Sequence, residues 1–185
     1  MLNLSPWQKY QSDLLEEGFH YDAAQENAVK ELQRLYEELT QPEKKLTWRI
    51  KLQSTFGKGL QQPSIQGLYF WGGVGRGKTY LVDTFYECLP FGRKLRIHFH
   101  RFMHRVHHEL NGLAGQPDPL KIIAKKLAEE TRVICFDEFF VADITDAMIL
   151  GTLMQELFSH GIVLVATSNI IPDELYRNGL QRARF

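Results

Sequence analysis

No stretch of this 185-residue sequence is apolar for long enough to cross a membrane, and the amino terminus carries no apolar run of signal-peptide type. Cysteine is scarce. Cys88 and Cys135 are the only two, too few for a disulfide framework, and their apolar neighbours predict buried thiols in a reducing compartment. There is no excess charge: Lys+Arg and Asp+Glu both number 22, so no strongly basic surface and no stable nucleic-acid binding are expected beyond a local patch. Repeats and low-complexity tracts are also absent. These absences point to a cytoplasmic globular chain, and the 44% hydrophobic content is ample for a real core at this length.

What the sequence does contain centres on Gly72-Gly73-Val74-Gly75-Arg76-Gly77-Lys78-Thr79. The stretch fits G-x-x-x-x-G-K-[ST], a phosphate-binding P-loop. A polyphosphate needs many donors aimed at it and close backbone approach, which residues without a Cβ allow; Gly72, Gly73, Gly75 and Gly77 supply that, with Val74 and Arg76 between them. Lys78 offers a point charge to the β- and γ-phosphates, and the Thr79 hydroxyl is suited to ligate Mg²⁺. The context agrees, with an aromatic-rich strand before the loop over 64–71 and a helix after it on which Leu81, Val82 and Phe85 recur. A nucleoside triphosphate and Mg²⁺ are therefore the expected cofactors.

Upstream, residues 1–40 read as helical. Trp7, Tyr10, Leu14 and Leu15 form a short stripe, and a longer helix opens at Asp22 with Ala28, Leu32, Leu35, Tyr36 and Leu39 on one face. Gln25 is either a reader of an adenine edge or a plain surface residue of that helix. Another helix is predicted around Trp48–Phe56, broken by Gly57-Lys58-Gly59, before Pro63 leads into the loop strand. Downstream, Lys94–His100 alternates as a strand, with Leu95, Ile97 and Phe99 on one side and Arg96, His98 and His100 on the other. Arg101–Leu110 follows as a helix, ending in a loop from Asn111. Five of the seven histidines lie between His98 and His108, and His104 and His108 have i, i+4 spacing. A metal site, a partner surface and a plain solvated role all remain open for them, since no third ligand is evident. Asp118-Pro119 predicts a capped helix start.

Arg132-Val133-Ile134-Cys135-Phe136-Asp137-Glu138 is the second decisive stretch. An apolar run buried on both faces of a parallel sheet that ends in two acids is the Walker B pattern. Asp137 would hold Mg²⁺ through water, and Glu138 would orient and polarise the attacking water. A helix from Ile144 closes at Gly161, and Ile162–Thr167 is another buried strand, leading to Asn169, either a sensor that bonds the lytic water or the γ-phosphate or a plain polar strand-to-loop turn. Pro172–Arg177 predicts a short helix. Arg182, in preference to Arg184, is the candidate arginine finger toward a neighbouring subunit; the alternative is a solvated basic end.

Four stretches together, Gly67–Thr79, His98-Phe99-His100-Arg101-Phe102-Met103, Cys135–Phe139 with Val141–Met148, and Ala166–Asn169 through Tyr176, resemble the AFG-like AAA+ ATPases. The resemblance runs from about Asp22 to Phe185. It implies a three-layer α/β/α P-loop fold of AAA+ (ASCE) type with a parallel sheet, and ATP hydrolysis, with ATP as the nucleotide. A bacterial branch associates with the division ring protein FtsZ and alters its polymers, which would put the chain at the division site; mitochondrial relatives are linked to protein quality control. It also implies self-association into a ring. A nucleotide-switched binding module is the alternative to a working ATPase, and a nucleic-acid loader is a third option that the neutral charge disfavours. Two parts are expected: an N-terminal helical segment over 1–60 packed on the core, and a P-loop core over 61–185 that breaks off after the sensor helix, without the family's fifth strand and lid domain. With strands near 65–71, 94–100, 132–137 and 162–167, the right-handed crossover rule and the family pattern predict the order 1-4-3-2, with the loop strand at an edge.

Overall fold

Apolar runs that would be insoluble alone pair into one parallel sheet ordered β1-β4-β3-β2, built from β1 (Leu68–Trp71), β2 (Lys94–His98), β3 (Val133–Asp137) and β4 (Val163–Ser168). The computed structural model describes residues 4–41, 65–141, 143–177 and 179. The order is the expected one, and among the described residues β1 lies at one edge and β2 at the other. β3 and β4 are central and almost wholly buried, as double-sided burial requires of an uninterrupted apolar strand.

Among the described residues six helices surround the sheet: α1 (Pro6–Asp13), α2 (Ala23–Thr40), α3 (Lys78–Cys88), α4 (Phe99–Gly112), α5 (Pro119–Glu130) and α6 (Ile144–Ser159). Two clusters of buried side chains lie on its two faces. One joins Tyr10, Val29, Leu32 and Leu35 of the N-terminal helices to Leu81, Val82 and Phe85 of α3 and to Cys135 and Val165 of the sheet. The other joins Phe99, Phe102 and Met103 of α4, Ile123 and Leu127 of α5, and Leu150 and Leu153 of α6 to Ile134 and Phe136. This gives helix, sheet and helix layers in a P-loop type α/β fold. Each wholly buried Leu, Ile or Phe contributes roughly 1.5–3 kcal/mol by leaving water. Cys88 and Cys135 are buried free thiols, as expected; burial pushes the Cys135 thiol up to about 12 and the Cys88 thiol up to about 11.

Local chemistry sets the helix starts. Ser5 and Gln8 close a capping box around α1, with Pro6 at its first position. Asp22 Oδ1 accepts from the Ala24 N–H at 2.7 Å and from Gln25 N–H at 3.2 Å, opening α2. Asp143 does the same for α6 through Thr145 and Asp146, and these N–H donors hold its carboxyl below the usual carboxylate range.

Several expectations are corrected. The 94–100 strand ends at His98, because Phe99, Phe102 and Met103 share one buried helical face and the Phe99 ring packs on Phe139, 4.5 Å between centroids. That helix continues through Asn111 to Gly112. The loop strand spans only Leu68–Trp71; at Gly67 a Cβ would strike the Leu164 carbonyl. Leu15 lies past the end of α1, 88% exposed, and is not in the stripe. Asp118 precedes α5 in the left-handed region (φ 50°) and does not cap it; its carboxylate pairs with Lys121 instead, at 3.1 Å. The helix expected from Pro172 is one 3₁₀ turn, Pro172–Glu174. The Trp48–Phe56 helix, the glycine break after it, and Arg182 and Arg184 lie outside the described residues.

Candidate nucleotide site

β1 delivers the glycine loop to the carboxyl end of the sheet. The Gly72 N–H donates to Ser168 O at 3.2 Å, so the β1–β4 ladder runs one step into the loop. The chain then turns through Gly75 (φ 82°) and Gly77 (φ 74°), values that a side chain would strain. Val74, at the crest, is 91% exposed, and Arg76 is exposed beside it. α3 begins at Lys78 with Gly77 as its N-cap and no side-chain cap, which leaves first-turn N–H groups and the positive end of the helix dipole for an anion.

Lys78 joins the two ends of the site. Its Nζ donates to Gly72 O at 2.6 Å, Gly73 O at 2.8 Å and Asn169 Oδ1 at 3.0 Å. The amine therefore lies between the loop and the residue just past β4. Thr79, one position on, is exposed on the first turn of α3.

β3 ends in Asp137, whose side chain is only 14% exposed, and Glu138, whose side chain is 76% exposed. Glu138 has φ 55°, an uncommon conformation for a non-glycine residue. Its N–H donates to Thr167 Oγ1 at 3.3 Å, while its carboxylate faces outward with His98 Nδ1 3.8 Å away. The structure thus brings Lys78, Asn169, Asp137 and Glu138 to one end of the sheet.

Gln25 is brought there too. A Cβ on Gly77 would collide with the Gln25 amide nitrogen, so the glutamine lies against the loop and not out on the surface. Its Oε1 is buried and has no hydrogen-bond partner among the described residues. A buried orphan acceptor beside a phosphate loop fits a bound group with a donor edge. One acid and one hydroxyl, Asp137 and Thr79, fit Mg²⁺, which keeps most of its waters. The residues present therefore fit ATP and Mg²⁺.

Sequence reasoning missed Arg96. From β2 its Nε donates to Asp137 Oδ2 at 2.8 Å and its Nη2 to Asp137 Oδ1 at 3.2 Å, and its Nη1 is bonded to Asp83 of α3. The alternation of Lys94–His98 put Arg96 on the polar face, but only the register of β2 on β3 reveals what that face meets. Thr167 was missed as well, read only as part of the strand. Among the histidines, His107 Nε2 lies 2.7 Å from Asp146 Oδ1, and His104 and His108 are exposed. No group of three or more His, Cys, Asp or Glu among the described residues is placed to hold a metal.

Residues 4–185 match the model of the AFG1-like ATPase family. The cell division protein ZapE of Escherichia coli (strain K12) is 53% identical over 191 aligned residues, covering 100% of this chain and 51% of that protein. Lactation elevated protein 1 homolog B of Danio rerio is 50% identical over 131 residues, covering 65% of this chain and 26% of its own. The chain thus spans about half the length, or less, of these relatives. The crystal structure of DnaI superposes with a TM-score of 0.58 at 18% identity, covering 88% of this chain and 75% of DnaI, a likeness of fold.

Proposed function

The chain belongs to the AFG1-like ATPase family, and we propose that it is a Mg²⁺-dependent ATPase of AAA+ type that works on a protein partner in cell division. The observation that carries this reading is the convergence at Lys78, whose amine spans the loop carbonyls and Asn169. A γ-phosphate placed there would take Lys78 from the Gly72 and Gly73 carbonyls and would be flanked by Asn169. The loop and α3 N–H groups would hold the β-phosphate, and Thr79 and Asp137 would hold the metal. The charge neutralisation that phosphoryl transfer needs would come from Mg²⁺ held by these residues. Glu138 accepts the proton of the attacking water, for which its exposed, outward carboxylate is suited. Gln25 pairs with the base through its orphan carbonyl.

The division role rests on likeness to ZapE, a cell division protein. Its finer form is action on FtsZ polymers in the cytoplasm at the division site, by a ring of subunits in which Arg182 reaches a neighbour's γ-phosphate. That form is supported by the family resemblance of the motifs alone.

The test is ATP turnover by this chain with and without FtsZ polymer. Lys78→Ala abolishes nucleotide binding. Glu138→Gln keeps binding, loses turnover by about a hundredfold or more, and traps ATP. Equal loss of ATP affinity in both variants overturns the division of roles. Turnover indifferent to FtsZ removes the finer reading and leaves the ATPase standing.

A further inference from the structure

We propose that Arg96 is a positioning residue for the metal site: a clamp, tied to Asp83, that fixes the Asp137 carboxylate relative to Thr79. The proposal rests on the ATPase reading and adds residues that neither the P-loop nor the Walker B pattern contains.

The geometry carries it. Asp137 and Thr79 are the two groups offered to Mg²⁺, and they sit on different elements, β3 and α3. Nothing covalent sets their separation. Arg96 bridges those two elements from a third. Two of its nitrogens engage both oxygens of Asp137, and the remaining terminal nitrogen is bonded to Asp83. Asp83 is four residues after Thr79, and thus on the same face of α3 one turn along. The planar guanidinium suits this, because its rigid fork fixes the plane of a carboxylate as a point charge does not. Burial makes the grip matter: the side chains of Arg96 and Asp137 are 22% and 14% exposed, so water screens the pair poorly.

The pairing does not block the metal. A carboxylate has about four lone-pair sites, and the two bonds from Arg96 use two of them. The others stay free for water-mediated contact with Mg²⁺. Two negative charges face one positive charge in the Asp83–Arg96–Asp137 group, which leaves the local balance favourable to a cation. Partners of this outer kind, when removed, typically cost about 10–100-fold in metal affinity.

The experiment measures Mg²⁺ binding and not turnover. The whole chain is titrated with a fluorescent, non-hydrolysable ATP analogue, first in EDTA and then at fixed analogue with rising Mg²⁺. For Arg96→Gln, affinity in EDTA stays within about twofold of the unmodified protein, whereas the Mg²⁺ concentration for half-effect rises about tenfold or more. Arg96→Lys is intermediate, since charge is kept and the fork lost. Asp83→Asn, at a 44% exposed side chain where folding is safe, shifts the Mg²⁺ midpoint in the same direction by about threefold. An unchanged Mg²⁺ midpoint in Asp83→Asn overturns the tie to α3, and equal loss with and without Mg²⁺ in Arg96→Gln overturns the positioning role. Absence of any Mg²⁺ effect in the unmodified chain overturns the ATPase reading itself, and the clamp with it.

Discussion

The phosphate loop and the acidic corner beside it serve one site but are assembled in opposite ways. The loop is nearly self-contained: its glycines set its curvature, and Lys78 bonds mainly to the loop's own carbonyls, with Ser168, Asn169 and Gln25 among its contacts from afar. The corner draws on four elements, with Asp137 from β3, Arg96 from β2, Asp83 from α3 and Thr167 from β4. A shift in sheet packing would leave the loop's internal bonds intact and spoil the corner. On the proposed reading, phosphate binding is thus a local property of eight residues, whereas metal placement and water activation depend on the whole sheet.

Phe136→Ala tests that contrast with the largest expected effect. Phe136 is completely buried, and its ring packs against Phe99, Phe102 and Phe139, one residue before Asp137 in β3. Its truncation costs about 3–5 kcal/mol in denaturant unfolding. In the molecules that remain folded, Mg²⁺-free nucleotide affinity holds while the Mg²⁺ effect weakens. Equal weakening of both would break the distinction between loop and corner. Smaller effects sharpen the loop side. Gly77→Ala forces a Cβ into a left-handed backbone position and against the Gln25 amide, and should cost about 1–3 kcal/mol. Gly73→Ala meets nothing within 4 Å among the described residues and Gly73 is not among the positive-φ residues, so stability should change by less than about 0.5 kcal/mol. Similar losses at both glycines would mean that the loop is held by its surroundings and not by its own conformation.

The same contrast decides what could be read from sequence. The loop and the acid pair at the end of β3 were legible because each follows from contiguous residues, and the strand order because the crossover rule was joined to the family pattern that the motifs resemble. Arg96, Asp83 and Thr167 were not, since their roles exist only once β2, β3 and β4 are in register. The 94–100 strand was overextended because alternation and helical spacing overlap at Phe99, and the packing of its ring on Phe136 and Phe139 decided for the helix. Asp118 looked like a cap, but its left-handed backbone turns the carboxylate toward Lys121. Gln25 was weak as a lone glutamine; its contact with Gly77 comes from the packing of α2 on α3, which no local pattern encodes.

An effect smaller than that of Phe136→Ala probes why Glu138 tolerates a φ of 55°. Such a conformation costs about 1–3 kcal/mol and survives only where neighbours over-determine it. Here the end of β4 does so. Thr167 Oγ1 accepts from the Glu138 N–H at 3.3 Å and donates to Phe136 O at 3.4 Å. The Phe139 N–H donates to Thr167 O at 2.7 Å, and Ser168 Oγ donates to Phe139 O at 2.7 Å. The peptides on both sides of Glu138 are therefore pinned to one strand, and the strained turn aims its carboxylate outward. Thr167→Val keeps the volume and deletes the hydroxyl, leaving the Glu138 N–H without this partner. Stability should fall by about 1 kcal/mol. Turnover should drop several-fold at unchanged nucleotide affinity, and Thr167→Ser should restore both. Stability loss with unaltered turnover would show that Glu138 finds its place without β4, and the corner would then be as local as the loop.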